Sequence, residues 1–380
     1  MSIAQRTPTL NHLWSYRLTF LLSGMSLGAW APLVPFARER AGLEETQLGL
    51  LLLCFGLGSM LAMPLAGMMT TRKGCRFVAI IGGVLICAML PLLATLDSFV
   101  TLAMALALFG AGLGSIDVAM NVQGLMVEQD HGRPMMSGFH GLFSLGGIVS
   151  AALMGALLWS GASPLVAVLV VVALVGGMLA WHARHLLPYG ADDPSAPFAW
   201  PSLHMVGIGL LCFIALLVEG AILDWSAVFL NRAHQIDLAL AGAAYAVFSL
   251  TMAAGRFCGD ALRKRFGAMK LLIGGGVLVL AGFAMAVLLQ PWPLFMLGFA
   301  LIGLGLSNTF PVYASVAGAQ TVVPAGLAIA IITGIGYCGI LLGPALIGFA
   351  AHFIGLREAL LCVGALMLAQ VLTARRMTRG

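Results

Sequence analysis

Charge is scarce in this chain. Asp, Glu, Lys and Arg make up 9% of its 380 residues, where a soluble domain carries about a quarter. Hydrophobic residues account for 61%, and the mean hydropathy is +1.03, so a soluble two-domain reading fails on composition alone. Catalytic signatures are missing as well. There is no HExxH, no paired His and Cys spacing and no Walker A loop, so neither a membrane enzyme nor a nucleotide-driven pump is expected. The seven cysteines show no CxxC spacing and read as small apolar packing residues, not as a disulfide or metal framework. No cofactor and no metal is expected.

What the chain has instead is apolar runs of about 20 residues, the length a helix needs to cross the hydrocarbon layer. Twelve are counted, centred near residues 25, 58, 86, 112, 148, 172, 217, 248, 279, 305, 337 and 365. They are rich in Leu, Ala, Gly and Met, without the short alternating segments of an outer-membrane barrel. The expectation is an all-α membrane protein, because lipid leaves open backbone groups no water to bond. The first run follows a polar arm, "MSIAQRTPTLNH", with no small-x-small cleavage site after it, and reads as retained rather than as a signal peptide.

The basic residues predict the orientation. With the N-terminus inside, fourteen of the 19 Lys and Arg fall in cytoplasmic loops and tails, and four (Arg38, Arg40, Arg232, Arg357) fall outside. Arg256 lies within a span. Lys and Arg collect on the cytoplasmic side, so both termini are expected there, in a bacterial inner membrane. The formal charge of +5 is then a topology signal, and nucleic acid is not an expected partner.

A proline-rich connection, "RHLLPYGADDPSAPFAWP", divides the spans six and six. The expected organisation is an N-terminal six-helix bundle (1–185), a cytoplasmic linker (186–201) and a C-terminal six-helix bundle (202–380). Three stretches repeat at an offset near 190 residues. "GLG" at 112–114 matches "GLG" at 303–305, which sets Asn308 opposite Asp117. "GGIVSAALMG" (146–155) matches "GILLGPALIG" (339–348), and "TTRKG" (70–74) matches "RKRFG" (263–267). Two parallel repeats of this kind place a binding site near the bilayer midplane.

With these residues in view the chain resembles the major facilitator superfamily. The family's loop after span two, broadly G-x-x-x-D-R-x-G-R, is represented by "GMMTTRKGCR" (67–76), which contains Arg72 and Gly74, and more weakly by "GDALRKRFG" (259–267). Its acidic position is held by Thr71 in one copy and Lys264 in the other. Asp260 and Arg256 are expected to stand in as a local pair, structural rather than ligand-binding. "GLGSIDVAMN" is similar to a stretch of the bacterial fucose:proton symporter branch. There an acid followed four residues later by Asn takes part in proton coupling, which implies that role for Asp117 and Asn121. "GFHGLFSLGG" (138–147) and "EGAILDWSAVFL" (219–230) resemble a poorly characterised inner-membrane branch related to it. The first span holds no acid, so sugar specificity does not carry over.

The polar residues inside the spans are the candidate site. An Asp at a helix centre costs about 2.5–3.5 kcal/mol on insertion scales, so Asp117 needs a partner or a wet cavity. Asn121 lies one turn on, on the same face. The bland reading is a hydrogen-bonded pair that fixes span four. In span seven Glu219 lies deeper than Asp224, five residues on and about 140° around the helix. Glu219 is the second proton-coupling candidate, while Asp224 and Trp225 read as an interface anchor or outer gate. Asn308, Trp30 and Tyr337 join Asn121 as substrate-cavity candidates. His140 reads as packing or a gate contact, about 10 Å along the axis from Asp117. Pro64, Pro311 and Pro344 are expected to kink their spans.

The function expected is secondary active transport by a monomer in the lipid bilayer. The chain would move a small organic solute by alternating access, coupled to protons through Asp117. The competing reading is a drug/proton antiporter, for which 21 Met would suit a promiscuous pocket.

Overall fold

The computed structural model of the chain describes residues 10–43, 45–191, 201–235, 243–320 and 323–378, and all regular structure among them is helical. The residues outside this set include the start of the polar arm with Arg6, residues 192–200 of the linker, and Arg379. In chain order the helices are α1 (Leu10–Trp30), α2 (Val34–Arg40), α3 (Glu45–Lys73), α4 (Cys75–Thr95), α5 (Phe99–His131), α6 (Met136–Trp159) and α7 (Pro164–His182). There follow α8 (Leu203–His234), α9 (Ala243–Phe266), α10 (Ala268–Leu288), α11 (Trp292–Leu306), α12 (Thr309–Ala319), α13 (Ala325–Ile354), α14 (Leu356–Ala365) and α15 (Met367–Met377).

Among the described residues, eleven helical segments are long and apolar enough to cross a membrane. The expected eighth span, α9, is not one of them. It carries Arg256 and Asp260 in its body and ends on Arg263, Lys264 and Arg265, so its polarity is itself informative about function.

The chain forms two compact units. Unit 1 comprises Met1–Met135, Leu142–Ala199 and Val323–Ala330. Unit 2 comprises Met136–Gly141, Trp200–Val322 and Ile331–Gly380. Each unit is held together by glycines that let helices approach backbone to backbone, the small-residue packing that membranes favour. In unit 1, α4 meets α5 where a Cβ on Gly82 would lie 2.8 Å from the Gly112 carbonyl oxygen. Likewise α5 meets α3, where a Cβ on Gly110 would lie 2.1 Å from that of Phe55. In unit 2 the same two crossings recur, Gly275 against Gly305 (2.4 Å) and Gly303 against Phe248 (2.3 Å).

Gly82 to Gly275, Gly112 to Gly305, Gly110 to Gly303 and Phe55 to Phe248 are each 193 residues apart. That offset also relates "TTRKG" to "RKRFG" and "GGIVSAALMG" to "GILLGPALIG", and it corrects one match made on sequence. The two GLG triplets align two residues out of register, so Asn308 falls opposite Ser115, and Phe310 is the residue opposite Asp117. A run of Gly and Leu matches itself at several offsets; only the close backbone crossings distinguish them.

Two glycines open equivalent helices. Gly74 precedes α4 with φ 87° and Gly267 precedes α10 with φ 83°, a region that side chains rarely occupy. Both helices are 21 residues long. Pro64 and Pro344 lie inside α3 and α13. Pro311 coincides with an interruption, since α11 ends at Leu306 and α12 starts at Thr309. A proline has no N–H for the carbonyl four residues before it and its ring crowds that carbonyl; here the residue is Ser307.

The beginning of the linker belongs to unit 1. The Gln123 side chain accepts the Leu187 N–H (3.0 Å), and the first-turn amides of α4 are satisfied by it, Arg76 N donating to Leu187 O (2.9 Å) and Cys75 N to Tyr189 O (3.3 Å). A Cβ on Gly74 would fall 2.2 Å from the Pro188 carbonyl oxygen, so this turn needs glycine for space as well as for φ.

Candidate functional site

In unit 1, α5 starts at an N-cap serine, Ser98, whose side chain accepts from Thr101 N, and ends at Gly132 with φ 60°. Its middle is buried, and there Asp117 is 8% exposed and Asn121 fully enclosed. The Asn121 amide donates to the Asp117 carbonyl (2.8 Å) and, more weakly, to Asp117 Oδ1 (3.4 Å). Asp117 Oδ2 is buried with no hydrogen-bond partner among the described residues. One carboxyl oxygen is thus steadied by the amide a turn away, and the other is the atom at which a proton can be held or given up.

Three other unit 1 candidates lie elsewhere. Trp30 is buried at the last residue of α1. Arg72 is exposed in the last turn of α3, and Gly74 forms the turn after it. Thr71, at the family's acidic position, donates its hydroxyl to the Gly67 carbonyl of its own helix (3.3 Å).

Unit 2 holds a polar cluster built on α9. Tyr245, Ser249, Arg256, Asp260 and Arg263 fall within about 60° of the helix circumference at 3.6 residues per turn, so α9 carries one polar stripe along its length. Each member meets a different partner. Tyr245 is hydrogen-bonded to Ser249 and lies within the electrostatic reach of Glu219, Asp224 and Arg256. Arg256 Nη2 is 4.0 Å from Glu219 Oε2 on α8. Asp260 accepts the backbone N–H of Ser137 (3.0 Å) and of Gly138 (2.7 Å) at the start of α6. Arg263 Nη1 donates to Ser315 Oγ on α12 (2.8 Å).

His140 and Asn308 complete this neighbourhood. His140 is buried, its ring edge-on to Phe310 at 5.4 Å, within reach of the Arg256 charge. Asn308, in the break between α11 and α12, donates to Gly255 O (3.1 Å) and Ser307 Oγ (2.8 Å), while its own oxygen is buried without a partner among the described residues. Tyr337 is half-buried on α13. Asp224 is exposed, and the half-buried Trp225 packs toward Gly348, where a Cβ would lie 3.3 Å from Cζ2.

Both residues of the expected Arg256–Asp260 pair reach other helices, the arginine to Glu219 and the aspartate to the α6 amides. Tyr245, Ser137 and Gly138 were not among the candidates. The spacing of polar residues along α9 is the signal that leads to Tyr245, whereas backbone amides leave none in a sequence.

Residues 18–218 and 208–377 match the family Major Facilitator Superfamily. An uncharacterized MFS-type transporter of Yersinia pestis is 46% identical over 373 residues, covering 98% of this chain and 97% of its own length. The membrane protein MosC of Rhizobium meliloti is 31% identical over 353 residues, covering 90% of this chain and 84% of its own. Among solved structures, the E. coli fucose:proton symporter FucP is similar in fold, with a TM-score of 0.83 at 16% identity, covering 99% of this chain and 100% of that one. The two repeats, the apolar helices and these matches agree on two pseudo-symmetric bundles of six membrane-spanning helices, and the chain belongs to the major facilitator superfamily of transporters.

Proposed function

We propose that this secondary transporter moves a small organic solute across a bacterial inner membrane by alternating access, coupled to protons through Asp117. The observation that carries the reading is the Asp117 carboxyl itself, buried in the middle of α5, with Asn121 bonded to one oxygen and no hydrogen-bond partner for the other among the described residues. An acid inside a membrane segment is expensive unless it faces a function. A single titratable oxygen beside a fixed amide suits a group that gains and loses one proton per cycle. FucP, similar to this chain in fold, is a fucose:proton symporter. Glu219 is the second proton-carrying candidate, and Asn121, Asn308, Trp30 and Tyr337 are candidates for solute contacts.

The test is a solute screen on purified protein in liposomes with an imposed pH gradient, recording solute and proton movement together. Wild type accumulates the solute, and protons move with it. Asp117→Asn keeps size and hydrogen bonding but cannot titrate, so it loses accumulation while retaining solute exchange without a gradient. Accumulation by that variant with an unchanged pH profile contradicts the assignment and transfers the role to Glu219. Protons moving against the solute identify a drug/proton antiporter instead.

A further inference from the structure

We propose that one end of unit 2, formed by the last turn of α9, the first turn of α10 and the last turn of α15, is a docking surface for anionic phospholipid headgroups. Five cations meet there: Lys264 and Arg265 on α9, Lys270 on α10, and Arg375 and Arg376 on α15. All five are exposed. The helices α10 and α15 pack against each other, the Gln370 amide donating to Leu272 O (2.9 Å) and a Cβ on Gly276 lying 2.7 Å from Val371 Cγ2. Lys270 comes just before that contact and the two arginines come just after it, so the helices bring them to one end. The Gly267 turn ties the basic end of α9 to the same place. Among the described residues no acid of unit 2 balances them. Asp260 is taken up by the α6 amides. Glu219 and Asp224 lie 16 and 21 residues beyond the start of α8, about 24 and 32 Å along it. Glu358 opens α14, at the other end of the spanning segment that Arg375 and Arg376 close.

The surface is also open. At the equivalent turn of unit 1 a Cβ on Gly74 would fall 2.2 Å from the Pro188 carbonyl oxygen, whereas one on Gly267 would meet no described residue within 4 Å. What lies below the cations selects lipid over a soluble anion. Ala268–Leu288 and Leu356–Met377 are long and apolar enough to cross a membrane, so charges at their ends stand at headgroup level. On α15, Leu372 is 78% exposed and lies three and four residues before Arg375 and Arg376, on their face of the helix. On α10, a Cβ on Gly274, one turn in from Lys270, would have open space around it, and the next turn exposes Val277 and Leu278. On α9 the Arg265 guanidinium lies over the exposed Phe266 ring, 5.2 Å from its centroid. Each helix thus sets a cation beside apolar surface that an acyl chain can cover, the arrangement by which juxtamembrane basic clusters hold anionic lipid.

The purified full-length chain in neutral detergent is melted with phosphatidylglycerol, with phosphatidylethanolamine, and with glycerophosphoglycerol, which is the first lipid's headgroup without its chains. Phosphatidylglycerol raises the melting temperature and the other two do not. Raising the salt from about 0.1 to 1 M, which shortens the Debye length from about 10 to 3 Å, reduces the shift. Lys264→Gln, Lys270→Gln and Arg375→Gln each raise the half-saturating phosphatidylglycerol concentration about fivefold, the effect of one cation near an anionic surface. Lys270→Arg keeps the charge and binds as wild type does. Arg357→Gln removes an exposed cation at the opposite end of the unit and leaves binding unchanged. The proposal is overturned if phosphatidylglycerol gives no shift, or if phosphatidylethanolamine stabilises as well. It is also overturned if the three Gln variants bind like wild type, or if Arg357→Gln weakens binding as much as they do. A shift from the free headgroup equal to that from the lipid identifies a surface for soluble anions and overturns it too.

Discussion

The carboxylate of Asp260 caps a helix that begins more than a hundred residues before it: its Oδ2 accepts the Gly138 N–H at 2.7 Å, and its Oδ1 accepts that of Ser137 at 3.0 Å. Those are the second and third residues of α6, whose amides an N-cap side chain ordinarily takes. Met135, the residue in the cap position, supplies no such bond. An acid at a helix N-terminus also meets the positive end of the helix dipole.

Asp260→Ala is therefore expected to destabilise the purified protein by about 0.5–2 kcal/mol, the range for loss of a cap. Asp260→Asn retains one acceptor and should lie between the alanine variant and wild type. Melting curves of the three proteins check the order, and equal melting temperatures would remove the capping role.

The crossing glycines should differ in tolerance according to the space beside them. A Cβ on Gly305 would lie 2.4 Å from the Gly275 carbonyl oxygen, and one on Gly112 would lie 3.0 Å from that of Gly82. Gly155 and Gly274 have nothing within 4 Å. Gly305→Ala is expected to reduce folded yield most and Gly112→Ala less. Gly155→Ala and Gly274→Ala should be neutral or stabilising by up to about 1 kcal/mol through helix propensity. Size-exclusion yield across the four variants reads this order, and a large loss at Gly274 would contradict it.

The distribution of Lys and Arg predicts cytoplasmic termini. A reporter that is active only in the periplasm, fused after residue 380, should be silent, while the same reporter inserted at Gly355, between α13 and α14, should be active. Activity at residue 380 would invert the topology.

Composition and periodicity carry the membrane class, the helix count and the repeat, because apolar length and small-residue spacing are local properties. Asp117 and Asn121 were legible for the same reason, one turn apart on one helix. Contacts between distant segments were not. Nothing within α9 says that Arg256 turns to Glu219 on α8, 37 residues back in the chain, or that Asp260 meets the first turn of α6. The expected pairing of Arg256 with Asp260 came from their spacing alone, four residues apart on one helix. The same limit explains the misplaced partner of Asp117, since Gly–Leu repeats match at two offsets and only the backbone crossings decide for 193.

The central claim is that Asp117 gains and loses a proton within the membrane. Infrared difference spectroscopy of the full-length protein, wild type minus Asp117→Asn, recorded across a pH titration in lipid, measures that directly. The account predicts a protonated-carboxyl C=O absorption that is present in wild type, absent from the variant, and lost as the pH is raised through the range where solute accumulates. Spectra that coincide at every pH, with no carboxyl band assignable to Asp117, would contradict it.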